Sequence, residues 1–293
     1  MSSVSGAIQH VSDTARWVAL YRALESERPD ALFRDPYARR LAGERGEQAV
    51  ATIPRAREWA WPMVVRTAVM DELILRATRR DGADAVLNLA AGLDARPYRL
   101  ALPPSLRWVE VDFPDVIAYK EEVLGGERPA CALERVPLDL TDLERRRALF
   151  AGLGARARRV LVVSEGLLIY LTRDQVAALA EDLAAPPPFR RWLIDLASPA
   201  LLRRIAKTWG ATLAAGGAPF RFAPEEGTRF FEPHGWREAE FRSMWEEARR
   251  LGRAEVRLAW LWDLLMRLAP RSRRERMRRF SGIVLLERRR ANG

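Results

Sequence analysis

Four residues that could contact a nucleoside follow predicted strands in succession. Gly92, Asp112, Asp139 and Glu165 each come just after a short apolar run. Parallel strands bring their carboxyl ends to one edge of a sheet, and ligands of open α/β sheets bind there. A single acid at a strand end carries little weight, but three in succession predict a ligand site. In chain order, the acids would bind a ribose diol, an exocyclic adenine amine, and an ammonium or sulfonium group.

The first of these turns discriminates between cofactors. Residues 85–92 read AVLNLAAG, a buried strand that ends in small residues and allows a ligand close to the backbone. The dinucleotide pattern G-x-G-x-x-G is missing, because the positions from Ala90 read A-A-G-L-D-A. Asp94 also places a negative charge where a diphosphate would lie. A cofactor without phosphate, such as S-adenosyl-L-methionine (SAM), fits this turn better.

Strands that alternate with helices must carry these residues. This alternation predicts a mostly parallel α/β sheet with right-handed crossovers and an antiparallel last strand. We expect a helical cap over residues 1–80 and a Rossmann-like domain over residues 81–293, with a helical insertion at about 199–250. The predicted strands are Ala85–Leu89, Leu106–Val111, Ala132–Val136, Arg159–Val163, Trp192–Leu196, Arg253–Trp260 and Phe280–Leu286.

Composition narrows the class of protein. Cys131 is the single cysteine of the 293 residues, which excludes a disulfide framework and a Cys-based zinc site and predicts a cytoplasmic protein. We see neither a signal peptide nor an apolar run long enough for a membrane span. The net charge is +10, but apart from Lys120 and Lys207 the 49 basic residues are arginines, interleaved with 39 acids. This scatter favours a GC-rich genome over nucleic-acid binding, and only Arg267–Arg279 is densely basic.

Six motifs in the first 200 residues are specific in combination. They begin at Thr14 (TARWVA), Phe33 (FRDPY), Asn88 (NLAAGLDAR), Glu110 (EVDFP), Leu138 (LDL) and Glu165 (EGLLIYL). As a set they resemble the leucine carboxyl methyltransferase family. They are most similar to its bacterial branch of SAM-dependent methyltransferases, which includes carboxylate O-methyltransferases of aromatic polyketide pathways.

The resemblance implies a fold, a cofactor and a set of site residues. The fold would be the seven-stranded class I methyltransferase fold with a helical lid, and S-adenosyl-L-homocysteine (SAH) would be the product. The residues carried over are Gly92 at the methionine moiety, Asp112 on the ribose, Asp139 and Leu140 beside the adenine, Glu165 near the methionine amino group, and Arg66 on the SAM carboxylate.

The methyl acceptor depends on which bases are available. Methyl transfer from a sulfonium is an in-line displacement in which positioning can carry most of the rate. A carboxylate is already ionised at pH 7, whereas a phenol with a pKa near 10 requires a general base to remove its proton. His234, in the insertion after the fifth strand, is the candidate base, and Tyr21 and Tyr170 are candidates to orient an acceptor oxygen. Because bases are scarce, a small-molecule carboxylate is favoured over a phenol.

Other functions stay open at this point. A peptide C-terminal carboxylate is an alternative acceptor within the same chemistry. A nicotinamide-dependent oxidoreductase is disfavoured by the missing glycine pattern. A protein that binds nucleic acid or modifies tRNA is suggested by the net charge and by Arg267–Arg279. We expect no membrane partner, and the sequence leaves the oligomeric state open.

Overall fold

A seven-stranded mixed sheet organises the computed structural model, which describes residues 11–51, 60–215, 219–254 and 269–289. The spatial order of the strands is β3-β2-β1-β4-β5-β7-β6, and β7 is antiparallel to both of its neighbours. The strands are β1 (Ala85–Leu89), β2 (Arg107–Asp112), β3 (Ala132–Pro137), β4 (Val160–Ser164), β5 (Phe189–Ala197), β6 (Trp236–Ser243) and β7 (Ser281–Arg288).

Helices connect the strands and cover both faces of the sheet. Within the described residues, one 3₁₀ helix (Leu168–Tyr170) follows β4 and another (Gly227–His234) precedes β6. In the described ranges the α-helices are α1 (Val11–Ser26), α2 (Ala38–Ala51), α3 (Trp61–Arg79), α4 (Arg96–Arg99), α5 (Pro114–Leu124), α6 (Leu143–Arg156), α7 (Arg173–Ala184), α8 (Pro199–Ala215), α9 (Met244–Arg250) and α10 (Arg271–Arg278). None of these helices is long and apolar enough to cross a bilayer.

The central strands form because they are apolar on both faces. All five residues of β1 and of β4 are buried, as expected for parallel strands covered by helices on two sides. Alternate residues serve opposite faces: Leu87 belongs to the apolar cluster of α6 and α7, whereas Val86 belongs to that of α3 and α9. The sheet is therefore a rigid platform between two helical layers.

A third apolar cluster fixes α1 and α2 near the carboxyl ends of the strands. Both helices pack there with Leu93 and Ala95, which follow β1, and with Leu124 of α5. The Nη2 atom of Arg22 donates to the carbonyl oxygen of Leu93 at 2.5 Å, and its Nε donates to the Asp35 carboxylate at 2.9 Å. These contacts fasten α1 to the turn that follows β1.

The predicted fold class is confirmed, including the antiparallel β7, but one predicted strand is wrong. The sixth strand is Trp236–Ser243, and Arg253 and Ala254 form no strand, while residues 255–260 of that prediction lie outside the described residues. β6 is an edge strand with the sequence WREAEFRS, whose charged residues give it little apolar signal. The predicted helical insertion at 199–250 therefore contains a strand.

The N-terminal helices are also less separate from the sheet than a cap would be. Residues of α3 share an apolar cluster with Val86 of β1 and Trp108 of β2. α3 is part of the layer that covers the sheet. Of the helices predicted as a cap over residues 1–80, only α1 and α2 could therefore form one. At the other end of the chain, the described part of the basic stretch forms α10, which buries none of its residues.

Candidate active site

The turn after β1 is held against the end of β2. Gly92 has a φ of +50°, a left-handed conformation that glycine adopts without strain. Its N–H donates to Oδ2 of Asp112 at 2.6 Å, and the N–H of Ala91 donates to the carbonyl of Val111. A Cβ atom added at Gly92 would lie 3.4 Å from the Cβ of Ala15, so α1 lies directly over this turn.

Asp112 is a buried carboxylate with backbone partners. Its side chain accepts from the N–H groups of Gly92 and Phe113, at 2.6 and 2.7 Å, and the residue is only 8% exposed. Burial raises the pKa of Asp112, and the two backbone donors oppose this shift without cancelling it. Each carboxylate oxygen retains a second lone pair, so the group can accept two further hydrogen bonds, as a ribose diol requires.

Glu165, which follows β4, lies between two arginines. Its Oε1 accepts from Nε of Arg66 at 2.9 Å, and its Oε2 accepts from Nη1 of Arg96 at 2.7 Å. Burial alone would raise the pKa of Glu165, but the two guanidinium groups outweigh it and lower the pKa to about 2. The carboxylate is therefore fully ionised at neutral pH.

Arg66 of α3 reaches across the strand ends and also contacts β5. Its Nη1 donates to Oδ2 of Asp195 at 3.2 Å, while Oδ1 of the same carboxylate accepts from the N–H of Gly166 at 2.6 Å. Burial opposes the charge on Arg66, but Glu165 and Asp195 outweigh it and raise the pKa. The predicted Arg66 thus lies beside the predicted Glu165, although their positions differ by 99 residues.

Two charged residues at this edge were missed by sequence reasoning. Asp195 is an acid inside an otherwise apolar predicted strand, which was an available signal. Arg96 is almost completely buried and donates to Asp71, Asp94 and Glu165. Arg96 begins a short helix directly after the turn and is the last residue of the motif NLAAGLDAR, but no role was assigned to it. Asp94 also accepts from the side chain of Asn88 at 3.0 Å, and the neighbouring arginines hold its pKa well below the usual range against the effect of burial.

Asp139 and Leu140 lie in the loop after β3, next to the end of β2. The N–H of Leu138 donates to the carbonyl of Asp112 at 2.8 Å and joins the two loops. The Asp139 side chain is exposed, and its Oδ1 accepts from the N–H and the hydroxyl of Thr141. The structure therefore brings all six predicted cofactor residues to one edge of the sheet.

Tyr170 lies at the same edge, between α1 and the segment before β6. Its hydroxyl hydrogen-bonds with Thr14, and burial raises its pKa. Its ring centroid is 5.4 Å from that of Phe220, and the following residue, Arg221, donates its N–H to the carbonyl of Ile169. These aromatic rings form a wall beside the carboxyl end of β4.

The prediction that His234 is a general base is wrong, because this residue lies at the opposite edge of the sheet. It precedes Trp236, the first residue of β6, which pairs with Arg288 at the end of β7. β6 is parallel to β5, so His234 lies at the amino ends of the parallel strands, where its Nδ1 contacts Oε1 of Glu181 at 2.9 Å. The order of residues along the chain does not reveal at which edge a connection ends.

Tyr21 lies on α1 within the apolar cluster that this helix forms with α2. Burial raises the pKa of its hydroxyl. Tyr21 therefore belongs to the apolar packing of α1 against α2 and against Leu93, which follows β1. The other histidine, His10, lies outside the described residues.

Comparison with known proteins identifies relatives over most of the chain. The model of the family described as leucine carboxyl methyltransferase matches residues 15–184. A protein of Streptomyces coelicolor, provisionally named as a SAM-dependent methyltransferase, is 34% identical over 256 residues, which cover 82% of this chain and 87% of the relative. A protein of Frankia alni with the same provisional name is 33% identical over 271 residues, covering 86% and 92%.

Solved structures agree in fold with this chain. A DUF574 family protein from Streptomyces avermitilis superposes with a TM-score of 0.61, at 13% identity, over 94% of this chain and 97% of that one. A protein from Thermobifida fusca, provisionally named as a methyltransferase, gives a TM-score of 0.56 at 16% identity over 97% and 96% of the two chains. At these identities the likeness concerns the fold.

Proposed function

Because the chain belongs to the leucine carboxyl methyltransferase family and is a SAM-dependent methyltransferase, we propose that it methylates a carboxylate oxygen of a small molecule. The observation that carries the carboxylate is that no histidine lies among the described residues at the strand ends, and that the acids there already accept hydrogen bonds within the chain. His234 lies at the other edge, and burial raises the pKa of both Tyr21 and Tyr170. A carboxylate needs no base, whereas a phenol would.

The side chains at the strand ends match the functional groups of SAM in charge and in hydrogen bonding. Acceptors face the donors of SAM, since Asp112 suits the ribose diol and Glu165 suits the methionine ammonium group. Arg66 supplies the cation that a methionine carboxylate requires. In this proposal Gly92 lies under the methionine moiety, and Asp139 and Leu140 flank the adenine.

When it is bound, SAM supplies a methyl group that is attached to a sulfonium. Transfer of this methyl group leaves the neutral thioether of SAH. The chain contributes positioning, which is worth most when the leaving group is already good. Tyr170 stays protonated at neutral pH because its pKa is raised, so its hydroxyl can donate a hydrogen bond to the acceptor oxygen. This contact only orients the acceptor, which is enough for a carboxylate because it has no proton to lose.

An aromatic acid, such as an aromatic polyketide carboxylate, is the class of acceptor that the wall beside β4 favours. The rings of Tyr170 and Phe220 lie 5.4 Å apart and are inclined by 56°. Tilted aromatic pairs of this kind can accept a further ring edge-to-face or offset-stacked. The resemblance to carboxylate methyltransferases of aromatic polyketide pathways supports the same acceptor class.

The test is the chemical stability of the product. The purified chain is incubated with methyl-labelled SAM and with pairs of aromatic acids and phenols that share a ring system. The expected product is a methyl ester, which mild alkali hydrolyses to labelled methanol. Label found only in alkali-stable methyl ethers would refute the carboxylate proposal and leave the SAM-dependent activity intact.

A further inference from the structure

Arg96 contacts three carboxylates that come from three different parts of the chain. Its Nε donates to Asp71 of α3 at 2.6 Å, and its Nη1 donates to Asp94 at 2.9 Å and to Glu165 at 2.7 Å. Its backbone N–H also donates to Asp94 at 2.9 Å. A planar guanidinium with five fixed donors can hold several carboxylates in one geometry, which a lysine ammonium cannot.

The exposures of the side chains show which side of this cluster faces a ligand. The Arg96 side chain is 2% exposed, whereas those of Arg66, Glu165 and Asp195 are 9%, 15% and 23% exposed. Exposure thus increases from Arg96 through Glu165 to Asp195. Arg96 lies behind Glu165 and is shielded from a ligand, while Asp195 lies on the most open side of the cluster.

We propose that Arg96 is a positioning residue that fixes the orientation and the negative charge of Glu165, so that this carboxylate meets the ammonium group of SAM. The proposal rests on the role of Glu165 in the proposed function. Arg66 contacts the other oxygen of Glu165, but it is also assigned to the ligand carboxylate. Arg96 is therefore the partner whose contact with Glu165 does not depend on the ligand.

The charges around Glu165 explain why one arginine is insufficient. The charged groups around Glu165 are Arg66 from α3, Arg96 from the start of α4, and Asp94 from the turn after β1. Asp195 of β5 belongs to the same cluster because it accepts a hydrogen bond from Arg66. Burial and the Asp94 charge both favour protonation of Glu165, and the two arginines oppose it. Without Arg96, Glu165 would lie near the negative charge of Asp94 with Arg66 as its only described cationic partner. Its pKa would therefore rise, and Glu165 would bind a proton at a higher pH than in the wild type.

Arg99 provides a matched control for the experiment. It is as buried as Arg96 and also pairs with Asp71, at 2.6 Å, but it makes no contact with Glu165 in the described structure. Arg99→Met therefore removes a buried cation of the same cluster without touching the proposed partner. A purely structural role for Arg96 predicts similar behaviour for the Arg96→Met and Arg99→Met variants.

The experiment is calorimetric titration of the full chain with SAH between pH 5 and pH 8. For the wild type and for Arg99→Met we expect an affinity that does not change with pH. For Arg96→Met we expect an affinity about tenfold lower at pH 5 than at pH 8, which is the loss that follows when the pKa of Glu165 lies about one unit above the lower pH. In the Glu165→Gln background, Arg96→Met should add no pH dependence. Arg96→Lys keeps the charge but not the fixed geometry, so it should keep a flat profile at a lower affinity than the wild type, and it serves if Arg96→Met does not fold.

Three results would overturn the proposal. They are a flat profile for Arg96→Met, the same slope for Arg99→Met, and a slope that persists in the Glu165→Gln background. Where Arg96→Lys replaces a variant that does not fold, a sloping profile or an affinity equal to that of the wild type would overturn it as well. Absence of SAH binding by the folded wild type would instead contradict the assignment of the cofactor site, so the two failures are distinguishable.

Discussion

Replacement of Asp112 by alanine should weaken SAH binding strongly. The carboxylate is 8% exposed, and each of its oxygens accepts one backbone hydrogen bond and retains a second lone pair for the ribose that is proposed to lie there. A hydrogen bond to a charged group contributes about 1.5–3 kcal/mol. The loss of one such bond lowers the affinity by about 10- to 150-fold, and the loss of both would lower it further.

The same substitution should also reduce stability, because two backbone groups lose their acceptor. The N–H groups of Gly92 and Phe113 donate to Asp112, and a buried donor without a partner costs about 1–3 kcal/mol. Asp112→Asn keeps the size and one acceptor oxygen, so it should be more stable than Asp112→Ala while still binding SAH weakly. Asp139→Ala removes an exposed carboxylate at the same edge and serves as a control.

Calorimetric titration with SAH and thermal unfolding measure the two effects separately. Asp112→Ala and Asp112→Asn should lose affinity by at least about tenfold, and Asp139→Ala should lose less. If folded Asp112→Ala binds SAH as the wild type does, the ribose does not contact this carboxylate. The proposed arrangement of the cofactor over β1 and β2 would then be wrong.

Three further predictions concern single residues. His234→Ala should keep methyl transfer within roughly twofold of the wild type, because the residue lies at the far edge of the sheet; a large loss in an assay with labelled SAM would contradict this placement. Gly92→Ala should lower the free energy of unfolding by about 1–2 kcal/mol, because alanine is strained at a φ of +50°, and unchanged denaturant unfolding would refute it. Glu165 has a folded pKa of about 2, below its unfolded value, so it contributes stability above an unfolded pKa of about 4.3 that is lost as the pH falls toward 2. Glu165→Gln should therefore show a shallower fall of stability over that pH range, and identical acid unfolding curves would show that the pKa is not lowered.

Strands that are buried on both faces could be predicted from the sequence. β1 and β4 are apolar at four of their five residues, and parallel topology then dictates that Gly92 and Glu165 share one edge. β6 was missed because it is an edge strand, and exposed edge strands carry charged residues in place of the apolar run by which a strand is recognised. The rule that locates a site at strand ends works only where the strands themselves are recognised.

The ionic cluster around Glu165 could not be predicted from spacing. Its contacts join residues that are 25, 69 and 99 positions apart, and no local periodicity encodes such pairs. Arg66 was predicted through the family resemblance, whereas Arg96 and Asp195 have side chains that sequence reasoning treated as ordinary helix and strand residues. His234 failed for a related reason, since the direction of β6 decides its edge and depends on pairing with β7.

The position of β7 has a consequence for how the protein is made. β7 follows the other six strands along the chain but lies between β5 and β6, and β6 pairs only with β7 in the described structure. During synthesis on the ribosome, β6 therefore emerges before β7, the strand with which it pairs. Until β7 is made, one edge of β5 also stays unpaired. Because domains fold as units and unpaired edges promote aggregation, the nascent chain depends on its final strand to close the sheet. Proteolysis within β7 would thus leave β6 unpaired and would also expose the edge of β5 that faces away from β4.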